Sequence, residues 1–577
     1  MSDVKLTFQF NHRWLESDSL HFREPVNILQ ANTIEEVEGT IKQAEAYAQS
    51  GYYVGGFVSY EAAQAFLPHL PFHNVNELPY VWFGVFEKPV EQEGLSNETF
   101  VQTDWKPDTS KQAYEQAIQT IHHLISQGIT YQVNYTLRLL AELEGVDSEA
   151  WYNQLAQAQQ ANYTALLQIG SHDILSISPE LFFASNGHTI ETRPMKGTMR
   201  RGLTVEEDDQ LKVQLSESTK DRAENVMIVD LLRNDVSQVA KAGTVQVPEL
   251  FTIEHYPTVH QMTSTVKAEL KEGAGLVDLF KALFPCGSIT GAPKQSTMEQ
   301  IYHLENSPRE VYCGAIGLLT PHGEAVFNVP IRTVLYNRET NQAVYGVGGG
   351  ITWDSSAEGE YEETVDKARV LYRKAKPFQL LETMLLKDGV IELELEHMNR
   401  LKRSAKYFNI NLNDQTLTET IDQIKANNQG EYKVRLLIDQ QGQITYELHP
   451  TSKTPTQLQV ALAYEPIRKG NAFLYHKTTN RSVYNERTHA NVDETLLWNE
   501  EGLITEFTTG NVAYKLEGKW YTPPVKDGLL RGTYRERLLK EQQIIERSLA
   551  KDDLATVEGL AFFNSVRGWK TVHLITE

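Results

Sequence analysis

A carboxyl group and an amine lie on either side of a short turn in the first half of the sequence. Glu180 stands in the run ISPELFF at residues 177–183, and Lys196 stands in TRPMKGT at residues 192–198. An Asn-Gly pair between them, at residues 186–187, predicts a hairpin. Most Glu and Lys side chains are solvated, but Lys196 lies in a tight segment bounded by apolar strands. A lysine in such a partly desolvated site loses proton affinity and becomes a usable nucleophile.

Three later motifs also carry residue types suited to chemistry. The apolar positions of residues 220–235 predict a largely buried helix, whose charged side chains must then be paired or functional. The Gly-rich run FPCGSITGAPK at residues 284–294 lets backbone N–H groups approach an oxyanion. Arg332 offers a planar fork that pairs with a carboxylate in two places.

These motifs, in this order, resemble the chorismate-utilising enzymes, and the resemblance covers most of residues ~110 to ~372. That family includes anthranilate synthase component I, aminodeoxychorismate synthase component I, and the isochorismate and salicylate synthases. The resemblance implies that Lys196 attacks C2 of chorismate while Glu180 acts as general acid for the departing C4 hydroxyl. Ammonia then adds at C4 and expels the lysine.

The resemblance also implies a magnesium site and a set of substrate contacts. The Mg²⁺ ligands are Glu224 and Glu363; without the family match, Glu363 and Lys367 would be read as a surface i,i+4 pair. The residues implied to contact the substrate are Gln132, His260, Ser264, Thr290, Gly291, Tyr312, Arg332, Gly348, Gly349 and Lys367.

Two positions discriminate between branches of the family. The water-adding isochorismate and salicylate branch carries a basic Lys where this chain has Gln132, and a neutral Gln cannot act as that base. Anthranilate synthases carry Ala where this chain has Lys196. The resemblance therefore favours the aminodeoxychorismate branch.

Residues ~377 to 577 resemble a second family, the fold-type IV pyridoxal-phosphate enzymes, and most closely the aminodeoxychorismate lyases. Lys477 matches the lysine that binds the cofactor, and Glu506 matches the acid that pairs with the pyridinium nitrogen. The positions that match the phosphate-binding cup are Arg400, Thr533, Tyr534 and Ser565. The implied reaction removes the C4 proton of aminodeoxychorismate through Lys477 and expels pyruvate.

The second half also departs from its family. The spacing from Arg400 to Lys477 is shorter than expected, and the sequence ends soon after Val572. These differences concern substrate closure and the dimer interface. The sites of the family usually need a dimer, and the resemblance therefore implies a homodimer through this half.

Composition restricts the partners. With 577 residues and a net charge of -22, the chain should hold two or three domains and repel nucleic acid and anionic membranes. It shows neither a run of about 18 apolar residues nor the apolar core of a signal peptide. Its two cysteines, Cys286 and Cys313, fit small core residues in a cytoplasmic protein. Because neither has the context of a glutaminase nucleophile, we expect a separate glutaminase subunit to deliver ammonia.

The predicted fold class is α/β (α+β). A chorismate-utilising-enzyme fold of large β-sheets flanked by helices should occupy residues 1–376, with core motifs in 110–372. A two-subdomain fold-type IV domain, similar to D-amino-acid aminotransferase, should occupy residues 377–577. Helices are predicted at residues 34–48 and 110–127 and a strand at 129–135.

The leading hypothesis from the sequence is a bifunctional enzyme that makes p-aminobenzoate for folate. Two alternatives stay open. One is anthranilate synthase component I fused to an aminotransferase-like domain. In the other, the second half is a non-catalytic scaffold that only promotes assembly.

Overall fold

The computed structural model describes residues 4–91, 104–372, 377–451 and 455–575. Residue contacts divide the chain into two compact units. Unit 1 takes the described residues up to Arg200 and from Lys212 to Tyr372, and unit 2 takes residues 201–211 together with those from 377 onward. The predicted boundary at 376/377 adjoins residues 373–376, which lie outside the described part.

Unit 1 is built from strands with helices between them. Its strands are β1 Lys5–Phe10, β2 Ser19–Arg23, β3 Asn27–Ala31, β4 Tyr53–Val58, β5 Val81–Phe86, β6 Lys106–Pro107, β7 Gln132–Glu142, β8 Tyr163–Ile169, β9 His172–Ser178, β10 Leu181–Ser185, β11 Thr189–Arg193, β12 Met195–Arg200, β13 Gln246–His255, β14 Val259–Glu269, β15 Gly291–Ala292, β16 Ala315–Leu319, β17 Ala325–Asn328, β18 Thr333–Asn337 and β19 Gln342–Ile351. Its helices are α1 Val37–Gln49, α2 Lys111–Ser126, α3 Ser148–Gln159, α4 Val205–Glu217, whose first seven residues belong to unit 2, α5 Thr219–Ser237, α6 Leu276–Leu283, α7 Lys294–Leu304 and α8 Ala357–Ala368.

These strands form two large sheets in the described part of the chain. One has nine strands in the order β15-β7-β19-β18-β9-β8-β1-β2, with β6 beside β7. The other has ten in the order β12-β14-β11-β10-β17-β16-β4-β5-β3, with β13 beside β14. Three buried hydrophobic clusters line these sheets. Large sheets flanked by helices were expected, and the fold class is confirmed.

Local sequence signals account for the helices of unit 1. Helix α2 starts where the Ser110 side chain accepts a hydrogen bond from the Ala113 N–H, and it buries Tyr114, Ile118 and Ile121 on one face. The helix predicted at residues 34–48 is present as a 3-10 turn at Ile34–Glu36 followed by α1. Both helix predictions are confirmed.

The hairpin predicted around residue 187 is also present. Strands β10 and β11 pair antiparallel, and the Asn186 side-chain oxygen accepts hydrogen bonds from the N–H groups of His188 and Thr189. Glu180 lies just before β10. Lys196 lies on the next strand, β12, which pairs with β14 rather than with the hairpin. The sequence thus predicted the turn but not this extra strand pairing.

Helix α5 is less buried than its apolar residues suggest. Ile228, Val229 and Leu232 are buried, but Val226 is 39% exposed and several charged side chains face solvent. The expected strand at residues 129–135 begins later, at Gln132, and runs on to Glu142. Both differences arise because tertiary packing covers one face of α5 and extends β7 along β19.

Unit 2 has two sheets in its described residues. Its strands are β20 Leu380–Lys387, β21 Val390–Ile391, β22 Glu431–Ile438, β23 Ile444–Pro450, β24 Gln457–Leu462, β25 Glu494–Trp498, β26 Ile504–Phe507, β27 Asn511–Leu516, β28 Lys519–Thr522, β29 Ile545–Glu546, β30 Gly559–Asn564 and β31 Gly568–Leu574. Its helices are α9 Glu394–Tyr407, α10 Asp414–Asn427, α11 Ser482–Asn485 and α12 Thr533–Lys540. The sheet orders are β21-β20-β22-β23 and β26-β25-β24-β31-β30-β27-β28-β29, with β26 also paired to β27. The second half thus has the two subdomains expected of it.

No helix among the described residues combines the length and apolarity that crossing a membrane requires.

A buried ion network joins the two sheets of unit 1. Arg309 donates to Glu305 at 2.6 and 3.0 Å, and its other N–H groups reach the carbonyls of Ile289 and Asn134 at 2.8 Å. Glu61 accepts hydrogen bonds from the backbone N–H groups of residues 309 and 310. Glu61 therefore fixes the backbone at residues 309 and 310.

Removal of Arg309 should destabilise unit 1. Arg309→Met leaves Glu305 buried without its closest cation, and we expect a loss of about 3–5 kcal/mol in the free energy of unfolding of this unit. The measurement is urea unfolding followed by a probe in unit 1. Arg233→Met is the matched control, because the Arg233–Asp230 pair is exposed and should contribute less than about 1 kcal/mol. Equal effects of the two changes would contradict the assignment.

Candidate active sites

Glu180 is a buried acid beside a buried amine. It is 3% exposed, and its Oε1 has no hydrogen-bond partner among the described residues. Burial raises the pKa of Glu180 to about 7, although hydrogen bonds from Ser288 and the Met195 backbone and the charge of Lys196 lower it. A carboxyl group with this pKa is partly protonated near neutral pH and suits proton donation.

Lys196 lies where several elements converge. Burial lowers the pKa of its amine, and Lys367 lowers it further, while the carboxyl groups of unit 1 oppose the shift. A methyl group on Gly350 would lie 3.2 Å from the Lys196 Nζ and would overlap the Gln132 side chain. Gln132 is 2% exposed, and its Oε1 has no hydrogen-bond partner among the described residues. The amine and the amide therefore border one small space that a ligand could enter.

Carboxyl groups from two helices face this space. Glu224 lies on α5 and Glu363 on α8, and the charge of Glu363 helps to raise the pKa of Glu224. Burial raises the pKa of Glu224. Glu363 is paired with Lys367 at 2.8 Å, and its pKa is lowered by this cation despite partial burial. Two oxygen donors with mutual repulsion are a donor set that fits a hard dication such as Mg²⁺.

Lys367 also connects α8 to the glycine run of β19. Its Nζ donates a hydrogen bond of 2.8 Å to the Gly348 carbonyl while pairing with Glu363. A methyl group on Gly349 would lie 3.1 Å from Glu360 Oε2. Gly348 and Gly349 are thus close to Lys367 and Glu360, and their contact with substrate stays a prediction.

The Gly-rich run forms a tight backbone crossing. Thr290 is fully buried, and its hydroxyl donates to the carbonyls of Cys286 and Gly287 at 3.2 and 3.3 Å. Gly291 has φ of 138° and pairs with Val133, and a side chain there would overlap the Gln132 carbonyl. Both residues therefore shape the backbone around Gln132, and direct substrate contact by either stays a prediction.

Strand β14 places Gln261, next to the predicted His260, against the two residues that follow Lys196. The His260 ring contacts His255, with 2.9 Å between the Nδ1 atoms. Its neighbour Gln261 donates to the Gly197 carbonyl at 2.9 Å and accepts from the Thr198 hydroxyl at 3.0 Å. Gln261 was missed by the sequence analysis, although strand alternation would have placed residues 260 and 261 on opposite faces.

Ser264, on the same strand β14, contacts α5, β13 and the segment before Lys196. Its hydroxyl donates to Asn225 Oδ1 at 2.5 Å and accepts from the Phe251 N–H, and its N–H donates to the Pro194 carbonyl. These contacts tie α5 to the segment before Lys196. The role of Ser264 in substrate binding, like that of His260, stays a prediction.

Tyr312 and Arg332 contact other side chains in the structure. The guanidinium of Arg138 lies 5.4 Å from the centre of the Tyr312 ring, and burial raises the pKa of that phenol. Arg332 donates to Gln159 Oε1 at 3.1 Å, and burial lowers its pKa. Carboxylate binding by these two residues stays a prediction.

Unit 2 contains a cavity of about 490 Å³. All six residues predicted to bind the cofactor line it: Lys477, Glu506, Arg400, Thr533, Tyr534 and Ser565. Its volume lies within the usual range for cofactor sites. The cavity therefore brings together residues that are up to 165 positions apart in the sequence.

Glu506 is held at the cavity wall by three donors. The Tyr484 hydroxyl and the Leu530 N–H donate to one carboxylate oxygen at 2.9 and 3.2 Å, and Asn511 donates to the other at 3.2 Å. Burial raises the pKa of Glu506 to about 7 despite these bonds. A cationic ring nitrogen beside it would favour its ionised form, so the residue fits the predicted acid.

Lys477 and Arg400 share an electrostatic environment. Burial and, after it, the positive charge of Arg400 lower the pKa of Lys477 to about 8. Arg400 donates to Glu382 at 2.8 and 2.6 Å, and His397 lies 2.6 Å from the same carboxylate. These two contacts and burial leave the pKa of Glu382 at about 2. Glu382 fixes the orientation of Arg400 and was missed by the sequence analysis.

The remaining predicted residues also line the cavity. Thr533 and Tyr534 begin helix α12, whose first N–H groups have no partner within the helix. The Ser565 hydroxyl lies 3.4 Å from the Thr383 carbonyl. A helix start, an arginine and a hydroxyl that line one cavity fit a phosphate group.

Comparison with known proteins finds two matched spans, one on each side of residue 376. Residues 91–373 match the chorismate binding enzymes, and residues 379–575 match amino-transferase class IV. Each of these two spans is therefore similar to a different family.

Two of the proteins that this chain resembles carry the same name. Aminodeoxychorismate synthase component 1 of Escherichia coli (strain K12) is 42% identical over 272 residues, which are 47% of this chain and 59% of the relative. The protein of the same name from Bacillus subtilis (strain 168) is 36% identical over 313 residues, which are 54% of this chain and 62% of the relative. The chain thus spans about three fifths of the length of the relatives it matches.

A solved structure shares the fold of unit 1. The crystal structure of anthranilate synthase component I from Streptococcus pneumoniae TIGR4 has a TM-score of 0.53 and 24% identity, and the match covers 64% of this chain and 92% of that one. At this identity the likeness shows the fold.

The low pKa of Lys477 should be visible in the protein without cofactor. Modification of Lys477 by a small amine-reactive reagent should titrate with a midpoint near pH 8, because only the neutral amine reacts. In Arg400→Met the midpoint should rise, since the neighbouring cation is lost. Mass spectrometry of the labelled peptide measures both midpoints.

The matched control is Arg435→Met. Arg435 lines the same cavity but pairs with Glu447 at 2.8 Å. An equal rise in both variants would show a general electrostatic effect and contradict the specific role of Arg400.

Proposed function

We propose that this chain, which joins a chorismate binding enzyme domain to a class IV aminotransferase domain, makes p-aminobenzoate in two steps. The first domain aminates chorismate at C4 to give 4-amino-4-deoxychorismate. The second eliminates pyruvate and leaves the aromatic product for folate synthesis. The observation that carries the proposal is the desolvated Lys196 amine beside the raised-pKa carboxyl group of Glu180.

The first step consists of two allylic displacements. The neutral Lys196 amine forms a bond to C2 of chorismate and loses a proton, both conjugated ring double bonds shift, and the C4 hydroxyl leaves as water with a proton from Glu180. Ammonia then bonds to C4 and loses a proton, both double bonds shift back, and the C2–N bond breaks as the Lys196 nitrogen regains a proton. The lowered pKa of the lysine and the raised pKa of the acid each favour the protonation state that this sequence needs.

Magnesium is proposed for this site because of its donor set. Glu224 and Glu363 would hold the ion, and Glu224 carries a raised pKa that a cation would relieve. Mg²⁺ would supply positive charge for the substrate carboxylates, which the acidic chain otherwise repels.

The class IV aminotransferase domain implies pyridoxal phosphate as cofactor. When bound, this group supplies an electron sink for cleavage next to the substrate amine. Lys477 would move the C4 proton, because its lowered pKa lets the amine act as a base near neutral pH. Glu506 would hold the ring nitrogen. Arg400, Ser565 and the start of α12 would hold the phosphate group.

The chain is proposed to act with a glutaminase subunit and with a second copy of itself. The relatives' name, component 1, implies a second component, and we propose a separate glutaminase subunit that delivers ammonia. Free ammonium would then substitute in its absence. A homodimer through the class IV domain is also proposed, because sites of this fold usually need one.

Product analysis tests both steps together. Purified protein is incubated with chorismate, ammonium, Mg²⁺ and pyridoxal phosphate, and p-aminobenzoate with equimolar pyruvate is the expected result. Accumulated aminodeoxychorismate would support the first step and contradict the second, leaving the scaffold alternative. Anthranilate would contradict the assignment of Lys196.

Lys196→Ala should abolish amination at C4. Loss of the nucleophile should lower the rate by about a thousandfold or more, with retained chorismate binding. Chromatography of the products measures the rate. Lys241→Ala is the control because that side chain is 67% exposed and pairs with surface Glu269. An unchanged rate in Lys196→Ala would contradict the covalent mechanism.

Activity of the first step should depend on magnesium through two carboxylates. Glu224→Gln and Glu363→Gln should each raise the Mg²⁺ concentration for half-maximal activity by about tenfold or more, since each removes a charged donor. Glu299→Gln, an exposed change on α7, should leave it unchanged. Full wild-type activity in excess chelator would contradict the metal site.

A further inference from the structure

Unit 2 includes a segment that stands far from the rest of it in the sequence. Residues 201–211 lie inside the span matched by the chorismate binding enzymes, yet their contacts assign them to unit 2. Leu203 packs against a buried cluster that includes Leu474, Tyr475 and Leu497. The segment is therefore part of the hydrophobic structure of unit 2.

Arg201 attaches the segment to the end of helix α9. Its guanidinium donates to both carboxylate oxygens of Asp208 at 2.7 and 2.8 Å and to the Tyr407 carbonyl at 2.8 Å. It also lies 4.5 Å from the centre of the Tyr407 ring. In return, the Tyr407 hydroxyl donates to the Gly202 carbonyl at 2.8 Å. Because Arg201 and Asp208 are almost buried, with side chains 8% and 10% exposed, this contact is shielded from solvent.

Tyr407 also contacts His476, the residue before Lys477. Its ring stacks on His476 with 4.1 Å between centres and 26° between planes. His476 is 4% exposed, and its Nδ1 lies 3.0 Å from the Ser404 hydroxyl of α9. The Lys477 carbonyl in turn accepts from the Leu381 N–H at 3.0 Å. The main chain on either side of the Lys477 side chain is thus held between α9 and β20.

A second set of contacts reaches Arg400, which is proposed to hold the phosphate group of the cofactor. Glu206 pairs with Arg403 and lies 3.4 Å from Arg531, whose carbonyl accepts from Arg400 at 3.4 Å. Asp209 pairs with Lys406 at 2.8 Å. These pairs are exposed and contribute little by themselves. They show nevertheless that the segment follows α9 along the turns that carry Arg400 and Tyr407.

We infer that residues 201–211 position the cofactor site of unit 2, with Arg201 as the positioning residue that acts through Tyr407 and His476 on Lys477. This inference rests on the proposed function in that the cofactor is pyridoxal phosphate. The second reaction then depends on residues coded within the first domain. A cofactor domain taken from residue 377 onward would lack a part of its own site.

The test uses the full-length chain and two measurements. The first is the dissociation constant of pyridoxal phosphate, measured by equilibrium dialysis. The second is the pH midpoint of Lys477 labelling in cofactor-free protein, which needs no reaction of the loaded enzyme. Arg201→Ala should weaken cofactor binding about tenfold and shift the labelling midpoint. Arg201→Lys, which keeps a cation over the Tyr407 ring, should restore part of both.

Controls separate positioning from loss of folding. Asp209→Asn removes an exposed pair of the same segment and should change neither measurement. Amination of chorismate by each variant reports on the folding of unit 1. A double-mutant cycle of Arg201→Ala with Tyr407→Leu should show coupling, because the two side chains act through one contact.

The outcomes divide clearly. Cofactor affinity within twofold of wild type and an unshifted labelling midpoint in Arg201→Ala would overturn the inference. If the wild-type protein binds no pyridoxal phosphate, the proposed second reaction fails, and the labelling midpoint of Lys477 alone decides the positioning role of the segment. Additive effects in the cycle would overturn the route through Tyr407.

Discussion

A lysine amine held out of water beside carboxyl groups is the constraint on which both candidate sites depend. Burial disfavours the ammonium form, whereas nearby carboxylates stabilise it, so the position of the charges decides how reactive the amine is. In unit 1 burial and Lys367 outweigh the carboxylates around Lys196, and the pKa of its amine is lowered. In unit 2 burial and Arg400 have the same effect on Lys477. The two units reach similar chemistry with unrelated folds.

The sheets of unit 1 make this arrangement possible. Pairing of β7 with β19 sets Asn134 opposite Gly350, two residues from Gln132. Strand β12 carries Lys196 alongside β14, and helices α5 and α8 add the carboxylates. Glycines at the crossing leave room for the Gln132 and Lys196 side chains. Rigid elements, rather than a loop, therefore place the reactive groups.

Unit 2 depends on a chain of supporting contacts. Glu382 holds both Arg400 and His397, and donors around Glu506 fix that carboxylate in the same cavity. Residues 201–211 extend this support from another part of the sequence. A fusion with such an exchange differs from two enzymes joined by a linker, because the two coding regions then share a structural element.

Patterns in the sequence alone predicted the class of fold and the hairpin at residues 186–187. They also predicted the helices with the clearest apolar periodicity and the residues that line the cavity around Lys477. These depend on local turn chemistry, on apolar spacing or on motifs whose order survives in the chain. Tertiary contacts were needed to show that Gln261 holds the residues after Lys196, that Glu382 orients Arg400, and that residues 201–211 belong to unit 2. Strand register and long-range packing set these contacts, and neither is encoded in the spacing of nearby residues.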